Sequence, residues 1–334
     1  MQRFLTLAGL LNGSRLQCID VGARGGMQSH WLPFSSLIEL DAFEPDPAAC
    51  ERQRKLAPTN EHWHPYAIGH KDGPGTLYVV RKESSSSLYP PNKPVMDAFA
   101  PKGSGDLVRE VPVNLLRLST VIEAQKRPSP ELIKLDVQGA ELDVLRGLDQ
   151  QHWQSVLGLQ VEVEFVEEYL GQCLFWDVDL EIRNKGFVLF DLLPVRLHRV
   201  NEGREYYYLR KYLGMGRNRN DVSRRLIAGD ALYLRSPESM ISADRNIAAK
   251  YLLILLIYRC FDEALWFVEK FAAAGKIDNQ ELVGLIGLIR ALAPKPDILQ
   301  RSDWLGRQAR KWRKRLKLGS ARKQDFWLSR SWDF

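Results

Sequence analysis

The stretch CIDVGARGGMQSHW, residues 18–31, decides how this chain is read. An apolar run ends in an aspartate and enters a glycine-rich turn, the way a strand–turn–helix unit offers backbone amides to a nucleotide. The glycines stand at positions 22, 25 and 26. A dinucleotide fingerprint needs G-x-G-x-x-G, and a P-loop needs Gly-Lys-Ser/Thr behind its glycines, so both patterns fail. Asp20 is the more telling residue. At the end of a predicted strand its carboxylate would repel a pyrophosphate, whereas it suits a ligand that carries an ammonium group and a sulfonium. S-adenosylmethionine is such a ligand.

Downstream, apolar strand patterns alternate with helical ones. Strands are predicted at 17–21, 40–43, 76–80, 132–136, 159–165, 187–192 and 231–234, with helices at 47–55, 140–147 and 176–185. That alternation predicts an α/β sheet, mostly parallel, with ligands at the carboxyl ends of its strands. Glu44 closes the second strand in ELDAFEPDP, twenty-four residues after Asp20. An acidic group near that spacing accepts the hydroxyl protons of a ribose.

Four segments together, IDVGARGG, DAFEPDP, IKLDVQGAELDVLRGL and LQVEVEFVEEYLGQCLFWDVDLEIRNKGFVLFDL, resemble the FkbM-type S-adenosylmethionine-dependent methyltransferases over about residues 15–236. The resemblance implies a class I, Rossmann-like methyltransferase fold: a seven-stranded, mostly parallel, doubly wound sheet with a final antiparallel strand. It also implies O-methyl transfer, in this family often to the hydroxyl of a sugar, a glycan or a glycosylated natural product. The turn Gly22, Ala23, Arg24 and Gly25 would join Asp20 and Glu44 in holding the cofactor. Ala67 and Ile68 would border its adenine. The chain departs from the family pattern at Gln138, where D-x-E-G-x-E has a glutamate, and at Ser119 or Thr120, where an acid is common.

Methyl transfer to an alcohol needs an in-line approach and a group that takes the hydroxyl proton. Asp136, ending the strand LIKLD, is the expected base, with holding the hydroxyl or binding a divalent ion as its other possible tasks; capping the next helix is the structural alternative. Glu162 in LQVEVEF is the second expected catalytic residue, on the same strand face as Glu164. Glu141, in the first turn of a helix, is equally accounted for by the helix dipole. His62 and His64 have a metal-ligand spacing but no third ligand near them, which favours hydrogen-bonded structural roles. No metal site is assigned.

Residues 81–112, rich in Ser, Pro and Gly, read as a long loop, with SSSSLYPPN offering hydroxyls and Tyr89 a stacking surface for a sugar. Two other readings stay open: a nucleotide-sugar or NAD-dependent oxidoreductase on a similar sheet, and a degenerate methyltransferase core that only binds. The expected organisation is a catalytic domain over 1–236, a small helical annex over 237–300 and a basic amphipathic tail over 301–334.

The net charge of +6 comes from that tail: eleven basic and three acidic residues follow from Arg301, which leaves −2 for the rest. The chain therefore lacks a general nucleic-acid footprint. The tail is suited to peripheral association with the inner membrane surface or to contact with a glycosyltransferase. The longest apolar run, YLLILLIY, falls short of the roughly 20 residues of a membrane span. Four scattered cysteines without C-x-x-C spacing fit free thiols, so the expected location is the cytoplasm.

Overall fold

The computed structural model describes residues 4–200, 207–213 and 224–294. The tail from 301, and most of the basic connection at 217–225, lie outside the described residues.

Among the described residues, ten strands form two sheets. The main sheet is built from β1 (Leu16–Val21), β2 (Ile38–Phe43), β3 (Glu61–His64), β7 (Leu132–Leu135), β8 (Gly158–Glu164), β9 (Phe187–Leu197) and β10 (Arg225–Arg235). Its order is β3-β2-β1-β7-β8-β10-β9. The pairs β2–β3, β1–β2, β1–β7 and β7–β8 are parallel, while β10 runs antiparallel to both neighbours. This is the class I methyltransferase fold that the resemblance implied.

The central strands read as apolar runs because both faces are covered. One face packs Ile19, Val21, Ile133, Leu135, Leu159 and Val161 against the helices at Leu118–Ala124, Glu141–Arg146 and Phe175–Asn184. The other packs Leu16, Cys18, Leu40 and Leu132 against the C-terminal helices. Among those, Arg245–Ile257 is buried along ten consecutive residues, Ala248 to Ile257, as expected of a helix that is apolar all round. Phe261–Ala273 and Asn279–Leu292 cover it, and the break between the first two falls at Arg259, whose φ is +59°. The change in texture at 237 is thus a change of secondary structure within a continuous core. Lys250 Nζ donates to Glu131 Oε1 at 2.7 Å and Tyr258 Oη to Gln160 Oε1 at 3.0 Å, which tie this layer to the sheet.

A helix, Leu5–Leu11, precedes β1, and its Leu7, Leu10 and Leu11 enter the same core. Two expectations change. The strand expected at 76–80 is not in the main sheet: β5 (Gly73–Val80) joins β4 (Ala67–Ile68) and β6 (Leu107–Leu116) in a three-stranded sheet of order β4-β6-β5. Residues 81–112 are likewise more than a loop, because they hold a helix, Lys93–Phe99, with Met96 and Phe99 buried, and the first half of β6. Pro94 starts that helix where no amide is needed. Pro112 hid the strand; it sits where β6 has β5 alone as partner, since β4 pairs only with Leu115 and Leu116.

Candidate active site

The carboxyl ends of β1, β2 and β7 form the floor of a cavity of about 360 Å³, and the β5–β6 hairpin forms its roof. Such a volume accommodates a small organic ligand.

On the floor, β1 ends at Val21 and the chain turns at Gly22. The amides of Gly22 and Ala23 both donate to Phe43 O at 3.0 Å, and the amide of Asp136 donates to Val21 O at 3.1 Å. Gly22 has φ +85°, and a Cβ placed there would lie 1.9 Å from Asp136 O. No other residue fits where the two strand ends meet.

Glu44 follows from β2. Its side chain is buried and one oxygen, Oε1, accepts the Asp46 amide at 2.9 Å, with Arg24 Nη1 at 3.7 Å. The second oxygen has no protein partner among the described residues, and the residue lines the cavity. Burial raises the carboxyl above the usual range, against the pull of the Asp46 amide and Arg24. An unpaired carboxylate oxygen at this point is what a ribose hydroxyl requires. Asp46 caps the helix Pro47–Leu56 by accepting from Ala48 and Ala49 at 2.9 and 3.3 Å. Arg24 clasps the mouth, pairing with Asp46 at 3.0 Å and with Glu83 from the roof side.

From β7 comes the acidic half of the site. Lys134, buried in the strand, places Nζ 3.3 Å from Asp20 Oδ1 and 3.4 Å from Asp136 Oδ2. Burial opposes its charge, but the two carboxylates outweigh burial and hold the ammonium charged. Asp136 opens onto the cavity and is held below the usual carboxylate range, Lys134 and hydrogen bonds from Glu162 and Gln138 overcoming the effect of burial. Glu162 is pushed well up by burial and by the charge of Asp136. Burial and the neighbouring charge thus favour the protonated form of Glu162, while Lys134 favours the ionised form of Asp136.

Gln138 fixes this pair. Its Nε2 donates to Asp136 Oδ1 at 2.9 Å and to Glu162 Oε2 at 2.6 Å, its Oε1 accepts from Tyr169 Oη at 2.9 Å, and its backbone oxygen accepts from Ser87 Oγ at 2.6 Å. These bonds hold it at φ +59°, in the left-handed region where a β-carbon costs energy. The missing glutamate of the family pattern is thus replaced by a donor that bridges two acids. Glu141 accepts the Val137 and Gly139 amides at 2.8 and 2.9 Å, and burial pushes its carboxyl up to about 7. Oxygens of Glu141, Glu162 and Glu164 gather within 4.8 Å of one another. Those of Glu141 are already committed to the turn.

Of the residues singled out in the sequence, the structure brings Gly22, Arg24, Gly25, Glu44, Ala67, Ile68 and Asp136 to one cavity. It leaves three away from the lining. Asp20 is fully buried beneath the floor, where Gln28 donates to it at 2.9 Å and Lys134 answers its charge. Ala23 is buried, and Glu162, half-buried, shares the Nε2 of Gln138 with Asp136. His62 and His64 pair with Glu39 and Asp41 at 2.7 and 2.8 Å, as structural histidines do. Tyr89 hydrogen-bonds Asp143 at 2.8 Å and is absent from the lining, where Ser84 and Ser86 stand instead. Ser119 accepts the Asp149 amide at 2.7 Å.

Two important residues escaped the sequence reading. Lys134 was legible in principle: a lysine between Ile133 and Leu135, one residue from an aspartate, is a charge in an apolar strand and implies a buried partner. Arg109 gave no such signal, since its strand had been read as loop.

Sheet order and site together define a class I methyltransferase fold. Residues 20–189 match the profile of the Methyltransferase FkbM domain, and the chain belongs to that family. It is 30% identical over 166 residues to "Methyltransferase 1" of Beauveria bassiana (strain ARSEF 2860), and 32% identical over 171 residues to "Methyltransferase sdnD" of Sordaria araneosa. Each match covers 43% of this chain, and 63% and 64% of the relative. Among solved structures, the methyltransferase FkbM from Methylobacillus flagellatus KT aligns with 66% of this chain and 43% of its own length, at 13% identity and a TM-score of 0.31.

Proposed function

We propose that the chain is an S-adenosylmethionine-dependent O-methyltransferase acting on a hydroxyl of a sugar or glycan. The observation that carries this reading is that the unpaired oxygen of Glu44 and the ionised carboxylate of Asp136 open onto the same cavity. Family membership supports methyl transfer, and the hydroxyl-lined edge at Ser84 and Ser86 suits a polyol.

S-adenosylmethionine, when bound, supplies an electrophilic methyl group on a positively charged sulfur. Glu44 would accept a ribose hydroxyl, with Ala67 and Ile68 beside the base and Gly22 and Gly25 admitting close approach of the backbone. Asp136 would accept a hydrogen bond from the acceptor hydroxyl. It would take that proton as the oxygen–methyl bond forms and the sulfur–methyl bond breaks. A carboxylate of lowered proton affinity is a modest base, so much of the acceleration would come from alignment. Glu162, tied to Asp136 through Gln138, would position Asp136 rather than act as the first proton acceptor.

The test is transfer of isotope-labelled methyl from the donor to a glycan fraction, followed by location of the label on oxygen. Asp136→Asn is expected to lower kcat by about 10²–10⁴-fold while leaving donor affinity nearly unchanged. Full activity in that variant, or label on nitrogen or carbon, would overturn the reading.

A further inference from the structure

The charged residues that line the cavity are Arg24, Glu44, Asp46, Glu83, Arg109 and Asp136. Five of them are answered by the protein itself. Arg24 pairs with Glu44, Asp46 and Glu83, while Asp136 is held by Lys134 and Gln138. Arg109 has no ion pair, hydrogen bond or ring partner among the described residues. The residue is exposed, so its guanidinium at the cavity rim is hydrated and open to an incoming anion.

Its position says which ligand it serves. On β6, Arg109 faces Val79 of β5, and Leu77 faces Val111. Leu77, Val79, Arg109, Val111 and Val113 all line the cavity, so the hairpin offers an apolar strip that ends in a cation. The opposite end of the strip is the adenine end, since Leu115 pairs with Ala67. Arg109 and Leu115 stand six positions apart, about 20 Å along the strand at roughly 3.3 Å per residue. The neighbours of Arg109 belong to the reacting end. The Val80 amide donates to Ser86 Oγ at 3.3 Å, and Ser87 Oγ donates to Gln138 O at 2.6 Å, which ties this edge of the roof to the turn carrying Asp136.

We propose that the acceptor is an alcohol bearing an anionic group, a carboxylate, phosphate or sulfate, and that Arg109 is the specificity-determining residue that binds this group. The inference rests on the O-methyltransferase reading and narrows its substrate class. An uncharged acceptor seated against Val79 and Val111 would strip water from the guanidinium and give nothing back. An anionic group gives back paired N–H···O bonds in the planar geometry that a guanidinium offers and an ammonium lacks. The anion need not be part of the reacting ring.

The full chain is incubated with methyl-labelled S-adenosylmethionine and a glycan extract of the source cells, and the products are resolved by anion exchange. The label is expected in retained, anionic products. R109Q and R109E should lower kcat/KM by about 10–100-fold, chiefly through KM, with R109K between them and wild type. Titration of R109Q with S-adenosylhomocysteine should give the wild-type affinity. Label in unretained products, formed equally well by R109Q, overturns the anionic acceptor and leaves the O-methyltransferase reading standing. A tenfold loss of S-adenosylhomocysteine affinity in R109Q assigns the cation to the donor's own carboxylate and also overturns it. Absence of labelled product from wild type overturns both readings.

Discussion

The floor and the roof of the cavity are built on opposite principles. On the floor the charges are answered from within: Asp20 and Asp136 by Lys134, Glu162 by the Gln138 amide, Glu141 by two backbone amides. The roof lies outside the main sheet, apolar toward the cavity at Leu77, Val79, Val111 and Val113, with Arg109 unpaired among the described residues. A floor welded into the strand ends suits a ligand that never changes, the donor. A roof whose side chains can vary without disturbing the main core suits the acceptor, the part that differs among members of a family.

If that contrast is right, substitutions that break the floor's buried packing and charge pairing damage folding, whereas those on the roof change only what is bound. The largest effect is expected from Gly22→Ala. Its Cβ would be driven into Asp136 O at a backbone angle that alanine disfavours, and should cost more than about 3 kcal/mol in urea unfolding. Stability unchanged in this variant would show that the strand ends are not packed as described.

Next comes Lys134→Met, which leaves Asp20 buried beside a second carboxylate with no cation. A loss of about 3–5 kcal/mol is expected by the same measurement. Combining it with Asp20→Asn should restore part of that loss, because the orphaned charge is then gone. A double variant no better than the single would mean that Lys134 stabilises by packing alone.

A smaller effect, about 1–3 kcal/mol, is expected from Glu141→Gln, which leaves one turn amide facing an amide nitrogen. The pH dependence sharpens this prediction. Burial raises the Glu141 carboxyl from its ordinary value of 4.5 to about 7 in the folded chain. Between these values the folded chain retains a proton that the unfolded chain releases. Its contribution to stability is therefore full below about pH 4.5 and lost as pH rises to about 7. Thermal melts at pH 5 and pH 7.5 should show the wild-type advantage over Glu141→Gln shrinking with rising pH. An advantage that grows instead would reverse the sign.

The floor was largely legible from the residues and the roof was not. The glycine turn at 22–26, Glu44 at its spacing and Asp136 at the end of an apolar run each have a local signature, because each sits at a strand terminus in the main sheet. Asp20 was legible but its surroundings were not: the sequence shows a carboxylate at a strand end, not that Lys134 on the neighbouring strand lies beside it. Register is a long-range property, and Asp20 opposite Lys134 exists only once β1 and β7 are paired. The roof failed for a different reason. Serines, prolines and glycines across 81–112 dominate the composition, and they conceal the alternation Arg109, Val111, Val113 that makes β6 a strand with one apolar face. Gln138 was noticed as a lost charge, whereas the structure shows a gained donor.

The central claim is that the floor holds S-adenosylmethionine through Glu44. Calorimetric titration of the wild-type chain and of Glu44→Ala with S-adenosylhomocysteine tests it most directly. Saturable binding to wild type, weakened about 10–100-fold in the variant, is the predicted result, the worth of a pair of charge-assisted hydrogen bonds. No binding to wild type, or equal affinity in the two proteins, would contradict the account.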